Sequence, residues 1–187
     1  MMMFDLPSTI EVAGREMDIR TDFRDILRIL QAIEDSELSN KEKAYVCLYI
    51  LYVDYDEIAP ENMQEAYEKA KEFIDGGPAE LSKKQGPATI SWTQDARLLF
   101  PAVNKVAGIE TRSAEYIHWW TFLGFFMEIK DSAYATVLSL RSKKAKGKKL
   151  EKWEQEFWRT NRDICVIRPK LTKEEQEEKD RLNALMR

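Results

Sequence analysis

Histidine and cysteine, which supply many of the bases, nucleophiles and metal ligands of proteins, are scarce in this chain. Its 187 residues include one histidine, His118, and two cysteines, Cys47 and Cys165, far apart in sequence. A single histidine cannot form a multi-histidine metal site, and neither cysteine belongs to a Cys-x-x-Cys pair. Because His118 stands between Ile117 and Trp119 in a very apolar segment, we expect a packed or helix-capping imidazole and not a catalytic base.

Other enzyme signatures are missing as well. The sequence has no Gly-x-Gly-x-x-Gly fingerprint and no Walker loop, and its only Gly-Gly pair, Gly76-Gly77, precedes a proline. A phosphate-binding loop would need a helix beginning with Lys-Ser/Thr after the glycines. Carboxylates are numerous, but no spacing selects a pair for acid–base catalysis. We therefore expect no enzymatic activity, no cofactor and no metal ion.

Tryptophan and lysine offer binding chemistry instead. Trp119 and Trp120 are adjacent in the segment 116–129, YIHWWTFLGFFMEI. Core packing is the simpler explanation for such rings. However, a helix cannot easily bury two neighbouring indoles against one element, so one of them is expected to reach a groove or a partner. The candidate protein-binding residues are Trp92, Trp119, Trp120, Trp153, Trp158, Lys143, Lys144 and Lys148.

A basic run covers residues 141–149, RSKKAKGKK, and tryptophans follow it. Interleaved basic and aromatic residues are typical of nucleic-acid binding. The sequence pI of about 5.3 argues against that function, because nucleic-acid-binding domains usually carry a net positive field. The favoured interpretation of the basic run is therefore a solvated turn around Gly147. Contact with an acidic protein surface ranks second, and nucleic-acid binding ranks third.

Charge is divided unevenly along the chain, whose net charge is −4. Residues 1–82 contain 19 acidic and 8 basic residues, and residues 83–187 contain 14 acidic and 21 basic residues. Such an offset is expected if copies associate head to tail, if one end binds a charged partner, or if the two halves attract each other within one fold.

Composition bounds the class of protein. Apolar residues make up 44% and charged residues 33% of the chain, which excludes disordered, collagen-like and disulfide-scaffold classes. Two separated cysteines fit a reducing compartment. The N-terminus lacks the features of a signal peptide, and no apolar stretch reaches the ~18 residues of a membrane span. We therefore expect a soluble intracellular protein.

The elements that position the candidate residues are mostly helical. Apolar residues recur at helical spacing after a short N-terminal stretch of alternating residues. In that stretch we expect Ile10 to pair with Ile19 and Val12 with Met17, which puts all four side chains on one face. The predicted fold is mainly α, a helical domain with a small N-terminal β-hairpin.

Capping signals predict where helices begin. Ser39 and Glu42 form a capping box, and the helix that they open is apolar around most of its circumference, which predicts a central position. Pro101 is expected to kink or split its helix. The predicted starts lie at or just after Asp22, Ser39, Pro60, Ser91, Ser113, Asp131, Lys148 and Thr172.

A Gly- and Pro-rich stretch, residues 76–88, interrupts the helical pattern. It is either a surface loop of one domain spanning 1–187 or the link between two helical subdomains, an acidic 1–76 and a basic 89–187. Both arrangements place the boundary between the acidic and basic halves in this stretch.

The opening residues 4–27, FDLPSTIEVAGREMDIRTDFRDIL, resemble the N-terminal signature of a family of phage tail-module proteins, the "gene product fifteen" proteins of siphophages and prophages of Gram-positive bacteria. The second half follows the same pattern in order, through Asp95–Phe100, AGI at 107–109, HWWTF at 118–122, LRS at 140–142 and GKKLEKWEQEFWRTNRDI at 147–164. The chain departs from the family pattern in two places. Residues 91–94 read SWTQ where an Asp-Phe pair is expected before Asp95, and Glu110 stands where aspartate is commoner.

The resemblance implies a role in tail morphogenesis, in the cytoplasm of the bacterial host. Such genes usually lie between those of the major tail protein and the tape measure protein, a position associated with tail assembly chaperones. It implies the tape measure protein and/or the major tail protein as partners, allows a homo-oligomer, and supplies no catalytic residue. Nucleic acid is a disfavoured partner and a membrane is not expected. The alternatives are a structural minor tail component retained in the virion and, less favoured, a nucleic-acid-binding accessory protein.

Overall fold

A computed structural model describes residues 5–77 and 89–168, together with Arg181. Within them lie a two-stranded sheet and eight α-helices. The predicted helix from Thr172 and most of the stretch 76–88 fall outside the described residues. The strands are β1 (Thr9–Val12) and β2 (Arg15–Asp18), and the helices are α1 (Phe23–Glu34), α2 (Asn40–Leu51), α3 (Met63–Ile74), α4 (Ala96–Ala107), α5 (Trp119–Met127), α6 (Ala133–Ala145), α7 (Lys152–Thr160) and α8 (Arg162–Cys165). The prediction of a mainly α fold with an N-terminal hairpin is confirmed.

The hairpin differs from the prediction in its register. Ile10 lies opposite Met17 and Val12 lies opposite Arg15, so each predicted partner is displaced by two residues. The turn consists only of Ala13-Gly14, both with positive φ, as in the two-residue turns that match strand twist. A shift of two residues keeps the same side chains on one face. The buried residues on that face are Val12, Met17 and Ile19.

Several predicted helix starts are confirmed. The Asp22 side chain caps α1, and the capping box of Ser39 and Glu42 opens α2. The capping role expected for His118 is confirmed, since its side chain accepts a hydrogen bond from the backbone N–H of Trp120 at the start of α5. Each cap satisfies donors that the first turn of a helix leaves unpaired.

Other starts differ from the prediction. Ser132, and not Asp131, caps α6, because Asp131 has a φ of +44°, whereas a capping residue needs the extended backbone that Ser132 adopts. Ser113 belongs to a separate 3-10 turn, so the apolar segment does not begin its helix there. Of the two effects expected of Pro101, a kink or a split, the split does not occur, since α4 continues through this residue. Burial of Leu99 and Val103 on either side of that residue holds both turns against the core.

Helix α2 is not central, contrary to the prediction. It buries Cys47, Leu48 and Leu51, whereas Tyr45 and Tyr49 are 51% and 57% exposed. Tyrosine counts as apolar in a periodicity pattern, but its hydroxyl allows the ring to face water. The apolar circumference of α2 therefore reflects tyrosines on an outer face.

The main hydrophobic core draws on the hairpin and on helices α1 to α6. Phe23 of α1 stacks on Phe122 of α5 with ring centroids 4.4 Å apart, and Trp119 of α5 packs beside Phe122. Full burial of a large apolar side chain contributes about 1.5–3 kcal/mol. A second, smaller cluster joins α6 to α8 and consists of Val137, Leu140, Leu150 and Cys165.

Candidate protein-binding surfaces

The two adjacent indoles of α5 both serve the fold. The indole N–H of Trp119 donates to the carbonyl of Ile74 and that of Trp120 to the carbonyl of Phe73, each at 2.8 Å. These carbonyls stand at the end of α3, where a helix lacks internal donors. Trp119 is 1% exposed, while Trp120 is half-buried and stacks on Phe73. Trp119 thus offers no surface to a partner in this structure.

Trp92 lies in a turn that precedes α4 and is anchored by the last residue of α1. The carboxylate of Glu34 accepts hydrogen bonds from the backbone N–H of Trp92 at 2.6 Å and of Thr93 at 3.2 Å. The half-buried Trp92 ring contacts Trp119 and Phe126. The structure therefore places this tryptophan against the core, where its side chain is half-buried.

The capping box expected from Ser91 to Gln94 forms only in part. The Ser91 hydroxyl accepts a hydrogen bond from the backbone N–H of Gln94, but the backbone N–H of Ser91 donates to the carboxylate of Asp95. The Gln94 side chain instead donates to the carbonyl of Arg168. Asp95 thus takes the reciprocal role that was predicted for Gln94.

A buried ion pair, missed by sequence reasoning, ties the C-terminal helices to α4. Arg141 and Asp95 form a two-pronged pair at 2.7 and 2.8 Å, with side chains 5% and 2% exposed. The remaining N–H groups of the guanidinium donate to the carbonyls of Thr89, Ile164 and Cys165. All five donors of Arg141 are therefore satisfied, as a buried arginine requires.

Of the five tryptophans, Trp153 stands furthest into solvent, with 56% of its surface exposed. It lies at the edge of a cleft of about 370 Å³, here called the Trp153 cleft. The residues that line this cleft are Asp131, Ser132, Ala135, Thr136, Ser139, Leu140, Lys143, Trp153 and Glu154. Trp158, five residues along α7, is instead half-buried against the small core cluster.

The three candidate lysines have different surroundings. Lys143 pairs with the buried carboxylate of Glu154, and this hydrogen bond lowers the pKa of Glu154. Lys144 lies over the ring of Trp158, with its ammonium 4.3 Å from the centroid, in a cation–π contact. Lys148 is exposed and makes no ion pair within residues 5–77 and 89–168. The structure therefore brings Lys143 to the Trp153 cleft and Lys144 to Trp158, and it does not bring all five residues into one site.

A second exposed surface was not predicted. Tyr45, Tyr49 and Tyr55 contact one another, with ring centroids 5.5 to 5.9 Å apart. Asp54 and Asp56 flank Tyr55 and are exposed. We call these five residues the tyrosine surface. The signal in the sequence was the i, i+4 spacing of Tyr45 and Tyr49, together with the position of Tyr55 between two aspartates.

The histidine and cysteines have structural environments. His118 is 5% exposed, and its second ring nitrogen lies 3.0 Å from the carbonyl of Pro7, to which it donates because the first nitrogen accepts. Burial raises the pKa of Cys47 to about 12 and also raises that of Cys165. In the part of the chain that the structure describes, no group of three or more His, Cys, Asp and Glu residues is arranged to hold a metal ion.

Comparison with known proteins accounts for most of the chain. The sequence model of the bacteriophage Gp15 protein family matches residues 3–165. The chain belongs to the phage Gp15 family. The Gp15 match includes every candidate binding residue and both partners of the Arg141–Asp95 pair. No curated protein and no solved structure is significantly similar to the chain. None of the helices in the described ranges is both long and apolar enough to cross a membrane.

Proposed function

We propose that this Gp15 protein is a tail assembly chaperone that acts in the host cytoplasm and has no catalytic role. Its clients are tail proteins, with the tape measure protein as the main one. Membership of a phage family supports a task in phage morphogenesis. The specific task rests on the resemblance to tail-module proteins and on the nature of the exposed surfaces.

The Trp153 cleft carries the proposal. A chaperone for a long helical client needs an accessible apolar contact bordered by charge, in the manner of helix-in-groove recognition. Trp153 presents an exposed indole to the cleft, and the half-buried Ala135 belongs to the same lining. Lys143 lies in the cleft, and the exposed Lys144 and Lys148 follow it along the chain. Such a cleft, which holds Lys143 together with the carboxylates of Asp131 and Glu154, suits an apolar side chain of a helix that carries charges of both signs.

Co-expression with the tape measure protein of the same phage tests the proposal. We expect Trp153→Ala to weaken binding by about 2 kcal/mol or about thirtyfold, the effect of losing an interfacial tryptophan. Ile109→Ala is the matched control, because Ile109 is 53% exposed and lies outside the cleft. The readouts are the tape measure protein recovered in co-purification and the amount that stays soluble.

The structure also dictates which lysines to change. Lys143→Glu would place a carboxylate against the buried Glu154 and would lower stability, so it cannot isolate a binding effect. Lys148→Glu alters the charge beside the cleft without breaking an ion pair of the described residues. Recovery of tape measure protein with Trp153→Ala equal to that with Ile109→Ala would contradict the assignment of the cleft.

Two further measurements separate the alternatives. Mass spectrometry of purified virions distinguishes a chaperone, which should be missing from the particle, from a minor tail component that remains there. Chromatography on heparin across a salt gradient tests the nucleic-acid alternative, which requires retention with a steep salt dependence.

A further inference from the structure

The tyrosine surface carries a pronounced local charge. The sequence from Asp54 to Glu68 contains six acidic residues and no basic one. Asp54 and Asp56 are exposed and make no ion pair among residues 5–77 and 89–168. Three tyrosine rings in mutual contact beside unpaired carboxylates form a surface that suits cations, since ring faces and carboxylates both attract them.

The opposite charge is concentrated between α6 and α7. Residues 143–149 contain five lysines and no acidic residue. We call Lys144, Lys146, Lys148 and Lys149 the lysine loop. All four are exposed, and none forms an ion pair within the described ranges. A lysine already covers an aromatic ring here, in the contact of Lys144 with Trp158.

The two surfaces do not cover each other within one chain. Tyr45 and Tyr49 remain more than half exposed, and the lysine loop faces solvent. The acidic and basic halves thus meet in the core, but these two surfaces stay open. Their charges are complementary, which favours encounter between different molecules.

We propose that the tyrosine surface of one copy binds the lysine loop of a second copy. Lysine ammonium groups would lie over the Tyr45 and Tyr49 rings and pair with Asp54 and Asp56. Because the two surfaces differ, the contact is heterologous, and an open assembly keeps a free tyrosine surface at one end and a free lysine loop at the other. Such a contact gives an open chain of copies, or a ring if the rotation closes.

Sedimentation velocity of the full chain tests this inference. We expect the weight-average sedimentation coefficient to rise with concentration at about 50 mM salt and much less at about 500 mM salt, where charges are screened. Asp54→Lys/Asp56→Lys and Lys148→Glu/Lys149→Glu should each weaken association at least about tenfold. Glu115→Lys/Glu128→Lys is the matched control for the aspartate variant, because it makes the same change in net charge on exposed residues that belong to neither surface.

A mixture of two disrupted variants gives the sharpest result. Tyr45→Ser/Tyr49→Ser changes only exposed rings and is a second variant of the tyrosine surface, which should also weaken association. Mixed with Lys148→Glu/Lys149→Glu, it supplies an intact lysine loop to an intact tyrosine surface, while the other two surfaces both carry negative charge, so the mixture should form a 1:1 dimer that does not grow. Circular dichroism should show that all variants keep the helical content of the wild-type chain.

Three outcomes would overturn the inference. They are a wild-type chain that stays monomeric at low salt, variants that associate as the wild type does, and a mixture that remains monomeric. An unidentified basic partner protein would give the first of these outcomes. The inference goes beyond the chaperone proposal, and its test contains no tail protein. Trp153→Ala should leave self-association intact, so a failure of the chaperone proposal can be distinguished from a failure of the self-association inference.

Discussion

The buried pair of Arg141 and Asp95 gives the most demanding prediction about stability. Replacing Arg141 with leucine would leave the Asp95 carboxylate, 2% exposed, with the backbone N–H of Ser91 as a remaining donor. Breaking a buried pair by removing one partner costs about 3–5 kcal/mol. Three carbonyl groups would also lose a donor. We therefore expect Arg141→Leu to lower the free energy of unfolding by about 4 kcal/mol.

That loss is a large part of the ~5–15 kcal/mol stability of a typical domain. For a chain of this size it corresponds to a decrease in Tm of about 10 °C. Urea unfolding followed by circular dichroism measures the change, with Arg97→Leu as the control because Arg97 is exposed. Arg141→Lys should recover only part of the loss, since an ammonium cannot reproduce five fixed donors.

A double-mutant cycle isolates the pair itself. In Asp95→Leu/Arg141→Leu no uncompensated charge remains, so the double variant should lose less stability than the sum of the two single variants. Additive effects, or a loss below about 1 kcal/mol for Arg141→Leu, would refute the view that this pair fastens the C-terminal helices to α4.

Two further predictions concern polar groups. The Tyr134 hydroxyl is buried without a hydrogen-bond partner among the described residues. Tyr134→Phe should therefore leave the free energy of unfolding unchanged or raise it by about 1 kcal/mol, as measured by urea titration. A decrease of more than about 1 kcal/mol would contradict this prediction. Hydrogen bonds from the side chains of Arg112 and Asn104 lower the pKa of Glu110 to about 2. The ionised Glu110 therefore stabilises the fold above its unfolded pKa of about 4.5. This contribution is lost as the pH falls from that value towards 2. Glu110→Gln should therefore flatten the fall of Tm between these pH values, and an unchanged slope would count against it.

Local features of the fold could be predicted from the sequence, because they depend on neighbouring residues. The capping box at Ser39 and Glu42 and the capping by His118 each involve residues two or three positions apart. The hairpin face was also predictable from alternation. The register of the hairpin could not be predicted, because Ala13 adopts a positive φ, which is unusual for any residue other than glycine.

Features that depend on distant residues could not be predicted. Arg141 and Asp95 are separated by 46 positions, and nothing in either local pattern selects the other. The same holds for the indole of Trp120, whose hydrogen bond to Phe73 spans 47 positions. Periodicity also could not tell the outward-facing tyrosines of α2 from core residues, because it records apolar character and not exposure.

The contacts on either side of residues 78–88 have a practical consequence for labelling. The indoles of Trp119 and Trp120 hold the end of α3, while Glu34 and Arg141 hold the segment from Thr89 to Thr93. The segments before and after this stretch are thus each held by their own non-covalent contacts. An affinity tag or fluorophore inserted between them would report on complexes while leaving the Trp153 cleft and the tyrosine surface unmodified.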